Sequence, residues 1–595
     1  MHFRKAPAVG TLTVLCFAIC MLVAGTAQAQ TGSILDQKVK GLPIMLDDAV
    51  SAGARMALAG PEAADDNPQP GYHDNGRGGN TFVNDPCLDP PPPDRRRTVQ
   101  SETEIAVLNT SGSMGKKMVS GYNDSFGFYN DKEGLSGFAY SVDGGNTWID
   151  GGGLPPRTPG GPFEYSGDPV IVIHHSTQRF FYASIYRRDD GTFTLSVNRG
   201  TFQEAPPQGV ESVSNTRCLN DATQFTFPDP PNQIKERIIW EPPVEAVPTN
   251  VNEITDLLDK EWLYVDQSTG TLYLTYTRFV NALVATTATP LELMRCRGCA
   301  FKPTFTSADW DGPYTIVPNE NDTFNQATMP ITTPSGRVVV TWLAREFAAG
   351  GLGPEVEQRI EYAFSDTDGT TWSPQLLVAR VNPQGEPPGY NRGRSSILNA
   401  PYINVDKGAD DGVITGSESS SAGFGNVYIT YFSGKTPVTT PPFQRAADVF
   451  MSTLTKDATV VGPPIKMNDD AGNNSHVFPT VQVNKNGIVY ADWLDRRRDA
   501  AANILTDAWA NVSKDNGVTF GPDRLQTDVA TSWFVRADAR PNFGDYNSSD
   551  LVSFNDFMII WADGRFPPPA PAPQAATPDT IFSIANGLGV GNLSK

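Results

Sequence analysis

The sequence predicts an all-β protein built as a β-propeller, a ring of four-stranded sheets around a central axis. The 595 residues include 54 glycines and 49 prolines and show no long helical periodicity, which is typical of short strands joined by turns. A strand pattern recurs seven times, and a turn octet recurs three times. A chain of this length is too long for a single sheet, whereas a radial array of repeats holds it as one unit.

The recurring strand is an alternating β run that ends in an aromatic residue followed by polar or charged residues. The seven aromatic residues are Tyr122, Tyr186, Tyr276, Trp342, Tyr431, Trp493 and Trp561. A further apolar strand precedes most of these runs, and alternation with a period of two is the pattern of a half-buried strand. The sequence therefore predicts seven blades.

The stretch from Phe478 to Phe520 shows one unit in full, with three adjacent antiparallel strands and a closing octet at residues 513–520. In this octet Asp515 is placed to accept from backbone amides, and Gly517 supplies a positive φ. The octet recurs at residues 141–148, and again at 365–372 with Thr367 in place of the aspartate. We expect each copy to form a tight turn between the third and fourth strands of a blade.

The octet Ser-x-Asp-x-Gly-x-Thr-Phe resembles the Asp-box, or bacterial neuraminidase repeat, of sialidase-like propellers. Over roughly residues 100–585 the chain is similar to the secreted Asp-box proteins of bacteria, including strand-start motifs at residues 167–169, 259–262 and 544–546. The resemblance implies a propeller with a glycan-related role, and, because sialidases have six blades, a six-bladed ring is the alternative. The sialidase motif Phe-Arg-Ile-Pro does not occur near the first blade, so the resemblance does not bring a sialidase active site with it.

The chain divides into three predicted segments. Residues 1–29 are a signal peptide, residues 30–97 an N-terminal extension with a Pro-rich linker, and residues 98–595 the propeller. The seventh unit ends after its third strand, so we expect an N-terminal strand at Thr81-Phe82-Val83 to supply the fourth and close the ring, which hides both sheet edges.

The first residues predict export to a secreted or periplasmic location. Arg4 and Lys5 precede an apolar run at residues 11–24, and Ala27-Gln28-Ala29 is a small-x-small cleavage site. No later stretch is long and apolar enough to span a bilayer, so membrane insertion is not expected. The formal net charge of −20 disfavours nucleic acid as a partner, and we expect a monomer.

Four cysteines remain after processing, namely Cys87, Cys218, Cys296 and Cys299, and an oxidising compartment allows up to two disulfides among them. The Cys-x-x-Cys pair at 296–299 is also compatible with a redox or zinc site. Because no second such pair exists, we favour a local disulfide. No cofactor is expected, although acidic loops such as Asp469-Asp470 leave a structural calcium open.

In a propeller the loops that enter strand one and leave strand two open on one face, around the axis, and we expect a ligand there. The carboxylates of Asp168, Glu261 and Asp545 fall on this face, with Tyr546 beside Asp545. Paired carboxylates serve as acid and base, or acid and nucleophile, in glycoside cleavage, and sialidases use a tyrosine nucleophile. These four are the predicted catalytic residues, and rim salt bridges or turn caps are the alternative for each.

Arginines at strand ends would suit an anionic sugar, because a guanidinium group pairs with a carboxylate through two hydrogen bonds. The predicted substrate-binding residues are Arg187, Arg278, Arg345, Arg496, Arg565 and Trp262. The sequence thus predicts an exported glycoside hydrolase acting on an acidic or complex glycan, with two axial carboxyl groups about 5–10 Å apart. The alternative is a non-catalytic propeller that binds a glycan or a protein.

Overall fold

The structure is a computed structural model. It describes residues 81–83, 100–109, 116–124, 134–145, 148–158, 164–188, 190–204, 236–248, 256–282, 288–318, 320, 323–348, 355–388, 396–408, 421–437, 445–527, 530–532, 544–552, 557–566 and 577–584. The predicted signal peptide and most of the predicted N-terminal extension lie outside this part of the chain.

The described residues form thirty β-strands and two short 3-10 helices, Ser307–Asp309 and Arg497–Asp499. In chain order the strands are β1 (Thr81–Phe82), β2 (Gln100–Val107), β3 (Met118–Asp124), β4 (Ser136–Ser141), β5 (Ile149–Gly153), β6 (Val170–His174), β7 (Arg179–Arg187), β8 (Phe193–Glu204), β9 (Glu236–Trp240), β10 (Val244–Glu245), β11 (Leu257–Val265), β12 (Leu272–Phe279), β13 (Leu291–Cys296), β14 (Trp310–Val317), β15 (Thr323–Thr332), β16 (Val338–Phe347), β17 (Glu355–Ser365), β18 (Leu376–Val381), β19 (Tyr402–Val405), β20 (Val427–Gly434), β21 (Ala447–Leu454), β22 (Val460–Lys466), β23 (His476–Val483), β24 (Val489–Asp495), β25 (Leu505–Ser513), β26 (Arg524–Leu525), β27 (Thr531–Ser532), β28 (Ser548–Leu551), β29 (Phe557–Phe566) and β30 (Thr577–Ile584).

These strands pair into seven antiparallel sheets within the described part of the chain, and the predicted β-propeller is confirmed. Blades 1 to 6 are β2–β5, β6–β10, β11–β14, β15–β18, β19–β22 and β23–β27, and blade 7 combines β28–β30 with β1. Blades 2 and 6 have five strands, because their third strands, β8 and β25, each pair with two outer strands. Each blade runs from an innermost strand outward, as predicted for consecutive antiparallel strands.

The seven innermost strands surround the axis in chain order, each in contact with the next, and β2 also contacts β28, which closes the ring. The closing strand is the predicted one. Thr81 pairs with Phe582 and Phe82 with Ile581, so β1 becomes the outermost strand of blade 7. Val83, which follows β1, is buried against residues of blades 1 and 7. The first and last described segments of the chain are therefore joined in one sheet.

The aromatic residue that ends each recurring strand lies in the core of the ring. The exposed fraction does not exceed 2 % for any of the seven, which are Tyr122, Tyr186, Tyr276, Trp342, Tyr431, Trp493 and Trp561. Each belongs to the second strand of its blade, where both faces of the sheet are covered by neighbouring blades. The regular spacing of these residues in the sequence follows from this repeated demand for a large buried side chain.

The three turn octets lie between the third and fourth strands of blades 1, 4 and 6, as predicted. In each, the first serine accepts from the glycine amide four residues later, as in the 2.8 Å bond from Gly517 N to Ser513 Oγ. Asp515 also accepts from the amide of Thr519 at 2.8 Å. In blade 4 the hydroxyl of Thr367 takes over this role, accepting from the amide of Thr371 at 2.9 Å, which explains why the octet tolerates the missing aspartate.

We refer to the face on which the innermost strands begin as the upper face, and to the face with the turn octets as the lower face. A disulfide joins Cys296 and Cys299 in the turn after β13, which confirms the predicted local bridge. Cys87 and Cys218 lie outside the described residues. Within the described part of the chain, no helix has the length and apolar character needed to span a membrane.

Candidate active site

The innermost strands begin with an unusual backbone turn on the upper face. Five non-glycine residues at these strand starts have a φ between 53° and 58°, namely Glu102, Asp168, Lys260, Ala327 and Phe478. In the strands that carry four of them the pairing register shifts at this point, for example between Asp259 and Trp262. Non-glycine residues at positive φ are strained, and such positions concentrate at functional sites. Three of the five carry a charged side chain.

Glu102 and Asp168, together with Asp545, surround the amino group of Lys260, which belongs to blade 3. Its Nζ lies 2.5 Å from Asp545 Oδ2 of blade 7, 3.5 Å from Asp168 Oδ2 of blade 2 and 3.6 Å from Glu102 Oε1 of blade 1. All four side chains are buried, with exposed fractions of 2 % or less. One lysine therefore connects four blades at the upper end of the axis. We call these residues the lysine cluster.

Hydrogen bonds fix the carboxylates of the lysine cluster in place. Asn123 donates to Glu102 Oε2 at 2.8 Å, and its own oxygen accepts from the amide of Asp168 at 2.9 Å. The amide of Asp545 donates to Glu102 Oε1 at 3.1 Å. Gly544, with a φ of 71°, passes so close to Glu102 that a Cβ there would lie 2.0 Å from its Cγ. The close approach of blades 1 and 7 thus requires glycine at this position.

The charges of the cluster shift the acidity of its members. Burial alone would lower the pKa of Lys260, but the carboxylates of Asp545, Glu102 and Asp168 raise it, so the lysine stays cationic. Burial raises the pKa of Asp168 well above its usual value, and the negative charge of Glu102 raises it further. The lysine is thus the fixed charge of the site.

Glu261 lies beside this cluster and is buried in a different way. Glu261 is only 2 % exposed, and neither oxygen of its carboxyl group has a hydrogen-bond partner. Burial raises the pKa of Glu261 well above its usual value. Carboxyl oxygens of Asp168, Asp259 and Glu261 all lie within 4.8 Å of one another, and we call these three residues the acidic triad.

Three aromatic rings cover the axis next to the lysine cluster. The ring of Trp262 makes edge-to-face contacts with Tyr402 of blade 5 and Tyr546 of blade 7, at centroid distances of 5.7 and 5.6 Å. The hydroxyl of Tyr546 donates to the carbonyl of Pro169 at 3.0 Å, which ties blade 7 to blade 2. All three rings are half-buried, whereas the carboxylates near them are buried.

A small cavity, which we call the aromatic cavity, lies among these rings. Its lining includes Lys260, Glu261, Asp545 and the three aromatic residues, and its volume is about 30 Å³. This space holds about two water molecules. Trp262, Met329 and Tyr402 also line a second cavity of about 180 Å³, which is bounded by the innermost strands along the axis. The aromatic rings therefore separate the upper face from the central channel.

The structure brings all four predicted catalytic residues together at this place. Asp168 and Asp545 are paired with Lys260, and Glu261, Asp545 and Tyr546 line the aromatic cavity. Trp262, a predicted substrate-binding residue, lies in the same wall. Their proximity is a structural finding, whereas their catalytic and binding roles remain predictions.

Among the predicted arginines whose side chains are described, none lines the aromatic cavity. Arg278 is bound to Asp256, with Nε 2.8 Å from its Oδ2, and Arg345 to Glu355, with Nη2 2.7 Å from its Oε2. Each pair lies within one blade, because a strand end offers a carboxylate on its own sheet at bonding distance. These arginines act as blade clasps in this structure, and a substrate-binding role for them remains a prediction.

Arg496 is fully enclosed and donates to the hydroxyl of Thr506 and the carbonyl of Asn503, at 3.0 and 2.5 Å. Burial lowers its pKa to about 9. Arg187 is exposed at the end of β7. Arg565 belongs to β29, but its side chain lies outside the described part of the chain.

Sequence reasoning placed Lys260 on this face but assigned it no role, and it did not single out Asn123 or Tyr402. The available signal was the position of Lys260, which matches Glu102 and Asp168 at the starts of other innermost strands. Asn123 carried no comparable signal, because its function depends on two residues from separate blades.

A second polar cluster, which we call the histidine clasp, lies at blade 6. The ring of His476 is 3.0 Å from Asp470 and 3.0 Å from Asp495, and Arg497 binds both carboxylates. His476 and Asp470, together with Asp448, offer ligand atoms within 4.8 Å of one another. Burial alone would lower the pKa of His476, but Asp470 and Asp495 raise it to about 9, so the ring is a cation that already balances these carboxylates.

No protein-family profile matches this chain, and no curated protein matches it significantly. Among solved structures it is similar to a Hadza microbial sialidase, with 12 % identity over 76 % of this chain and 74 % of that chain, and a TM-score of 0.35. A sialidase of Trypanosoma rangeli gives 10 % identity over 68 % and 53 % of the two chains, with a TM-score of 0.38.

An α-L-arabinofuranosidase of Fusarium graminearum, bound to an iminosugar inhibitor, gives 10 % identity over 86 % of this chain and 98 % of that chain, with a TM-score of 0.37.

Proposed function

We propose that this propeller binds glycans at its upper face, where the rings of Trp262, Tyr402 and Tyr546 meet. The observation that carries this proposal is the difference in burial between the aromatic rings and the carboxylates. The aromatic rings are half-buried and line the aromatic cavity, whereas the carboxylates of Asp168 and Asp545 are enclosed and face Lys260. Aromatic surfaces with a few fixed polar groups are typical of small-molecule sites, and the C–H faces of sugar rings pack on such surfaces.

The size of the aromatic cavity favours contact at its rim over full enclosure of a sugar. A volume of about 30 Å³ holds water but not a sugar ring. A glycan would therefore lie against the half-buried rings of Trp262 and Tyr402 at the rim and hydrogen-bond to polar groups beside them. This arrangement supports recognition more than cleavage, because a glycosidic bond at the rim would lie outside the cavity that the carboxyl groups of Glu261 and Asp545 line.

The test is binding of the mature protein to a glycan array that includes sialylated and uronic-acid glycans. The structure predicts that Trp262→Ala and Tyr402→Ala each weaken binding at least tenfold. Phe301→Ala is the matched control, because Phe301 is an exposed aromatic residue that does not line the aromatic cavity. Absence of glycan binding by the folded wild-type protein, or equal binding by Trp262→Ala, would contradict the proposal.

A glycoside hydrolase is the second candidate, favoured by one observation. The carboxyl group of Glu261 has no hydrogen-bond partner and lines the same cavity as Asp545 and Tyr546. In this scheme Glu261 donates a proton to the leaving oxygen, and Asp545 or Tyr546 attacks the sugar or activates water. A panel of fluorogenic glycosides with sialyl and uronyl substrates tests it, and Glu261→Gln must then abolish turnover without changing the thermal stability greatly.

We propose further that the protein is exported, since the N-terminal residues have the charge and hydropathy of a signal peptide. Mass spectrometry of the protein isolated from its natural source tests this, with a mature chain that starts near Gln30 as the expected result. A retained N-terminal segment in the cell interior would contradict it.

A further inference from the structure

The upper end of the axis contains more negative than positive groups. Within the described part of the chain, five buried carboxyl groups surround one lysine, and no exposed fraction among them exceeds 2 %: Glu102, Asp168, Asp259, Glu261 and Asp545. A carboxylate buried without a partner is costly, so the excess charge must be removed by protons or balanced by a cation. Lys260 balances one carboxylate at 2.5 Å and is too far from the others for short hydrogen bonds.

The unbalanced oxygens are concentrated on one side of the cluster. Neither oxygen of Glu261 has a hydrogen-bond partner, whereas Asp168 has only a long ion pair with Lys260, at 3.5 Å, and a second carboxyl group, Glu102, as neighbours; both residues are at least 98 % buried. These two residues belong to the acidic triad, whose third member, Asp259, begins the same strand turn as Lys260 and Glu261. Buried polar atoms without partners are rare in folded proteins, and a bound ion is one way in which such atoms are satisfied.

The geometry of the acidic triad matches a hard cation. One oxygen from each residue lies within 4.8 Å of the other two. Calcium binds oxygen at 2.3–2.6 Å, so two of its ligands are separated by up to about 5 Å. The donors are all carboxylate oxygens, which calcium prefers, and the triad contains none of the sulfur or imidazole ligands that select zinc or copper.

We propose that the acidic triad of Asp168, Asp259 and Glu261 binds one calcium ion beside Lys260. The ion would connect the strand starts of blades 2 and 3, as Lys260 connects blade 3 to blades 1 and 7. Two positive charges from calcium and one from lysine would balance three of the five carboxylates. Backbone carbonyls or water would complete the six to eight ligands that calcium takes.

This calcium site does not depend on glycan binding, because its ligands are the buried carboxylates of the acidic triad and not the aromatic rings. It bears on the choice between the two candidate functions, however. A glutamate that ligates calcium is held in its ionised form and cannot donate a proton, so a calcium ion on Glu261 supports binding over hydrolysis.

The experiment uses the mature protein after treatment with a chelator and dialysis. Isothermal titration with calcium chloride is expected to show one site per chain, and calcium is expected to raise the thermal unfolding temperature by a few degrees. Titration with magnesium chloride is expected to give binding at least tenfold weaker. Terbium, which replaces calcium in oxygen sites, is expected to luminesce on excitation of tryptophan, and Trp262→Phe should reduce this signal.

Two variants and a matched control locate the site. Glu261→Gln and Asp259→Asn each remove one ligand charge and are expected to weaken calcium binding at least tenfold. Glu104→Gln is the control, because Glu104 is equally buried on a neighbouring innermost strand but is not a member of the acidic triad. If Glu261→Gln does not fold, calcium binding by Asp259→Asn and by the wild-type protein still shows whether the acidic triad is the calcium site.

Three results would overturn the proposal. The first is the absence of calcium binding and of any calcium effect on unfolding in the folded wild-type protein, which would mean that protons remove the excess charge. The second is unchanged binding in both triad variants, which would place calcium elsewhere. The third is equal loss of binding in Glu104→Gln, which would indicate a general effect of buried charge.

Discussion

The amino group of Lys260 in blade 3 lies 2.5 Å from the carboxylate of Asp545 in blade 7. These two blades are not neighbours in the ring, so the ion pair crosses the upper end of the axis. The amide of the same Asp545 donates to Glu102 of blade 1, a residue 443 positions earlier in the chain. Ring closure at β1 and charge pairing at Lys260 therefore stabilise the same junction between the two ends of the propeller.

Replacement of Lys260 by methionine is expected to lower the free energy of unfolding by about 3 to 5 kcal/mol, because it leaves buried carboxylates without their cation. Denaturant unfolding of the wild type and the variant measures the difference. Lys302→Met is the matched control, since Lys302 pairs with Asp309 near the surface, and a loss of about 1 kcal/mol or less is expected there. Equal effects of the two substitutions would contradict a special role for Lys260.

Replacement of Val83 by aspartate tests the closing strand. Val83 follows β1 and is 1 % exposed, so a carboxylate there would be buried against blades 1 and 7. We expect loss of at least about 3 kcal/mol of stability, or failure to fold as a monomer with free sheet edges. Val518→Asp is the control, because Val518 is 64 % exposed, and it is expected to change the stability little. A stable Val83→Asp protein would show that β1 does not close the ring.

The histidine clasp predicts a pH dependence of stability. The pKa of His476 is raised from 6.5 to about 9. The charged ring therefore stabilises the folded protein fully below about pH 6.5, and this stabilisation is lost as the pH rises through about 9. The pKa values of Asp470 and Asp495 are lowered, against the effect of burial, by their bonds to His476, and Arg497 lowers them further. Their contribution is therefore present above about pH 4 and is lost in acid.

Thermal unfolding of the wild type and of His476→Gln between pH 6 and 10 measures the effect of the clasp. We expect a wild-type advantage that is largest near pH 6 and shrinks as the pH approaches 10. An advantage that grows over this range would mean that the ring is neutral in the folded protein.

The turn octet of blade 4 allows a test in which the missing aspartate is restored and the stability is measured. Thr367→Asp is expected to preserve the bond from the amide of Thr371 and to leave the stability unchanged or slightly higher. Asp515→Ala removes the bonds that Thr519 donates and is expected to cost about 1 kcal/mol. Loss of stability in Thr367→Asp that equals the loss in Asp515→Ala would show that the two turns are not equivalent.

The sequence was most informative where one residue type is required at a fixed place in every blade. The seven buried aromatic residues and the three turn octets meet this condition, because the contacts that require each of them lie within or beside its own blade. The closing strand at Thr81-Phe82 was also predictable, since a missing outer strand in the last blade must come from elsewhere. The charged strand starts were visible as a group, and Asp168, Glu261 and Asp545 do meet.

The pairing of those charges was not predictable, because it depends on contacts between blades that are distant in sequence. Whether the side chain of Lys260 points to the axis is decided by the left-handed turn at its own position, and a sequence pattern does not reveal that turn. The arginines illustrate the opposite case. Arg278 and Arg345 lie at strand ends near the predicted face, yet a carboxylate in the same blade binds each of them.

Glycan recognition and glycan cleavage are separated by a time course of product release from the glycan that the protein binds best, followed by mass spectrometry. We predict tight binding that is lost in Trp262→Ala. We also predict an intact glycan after prolonged incubation, because the buried carboxylates stabilise the fold and do not act on the glycan. Release of glycan fragments by the wild type, abolished in a folded Glu261→Gln variant, would contradict this prediction.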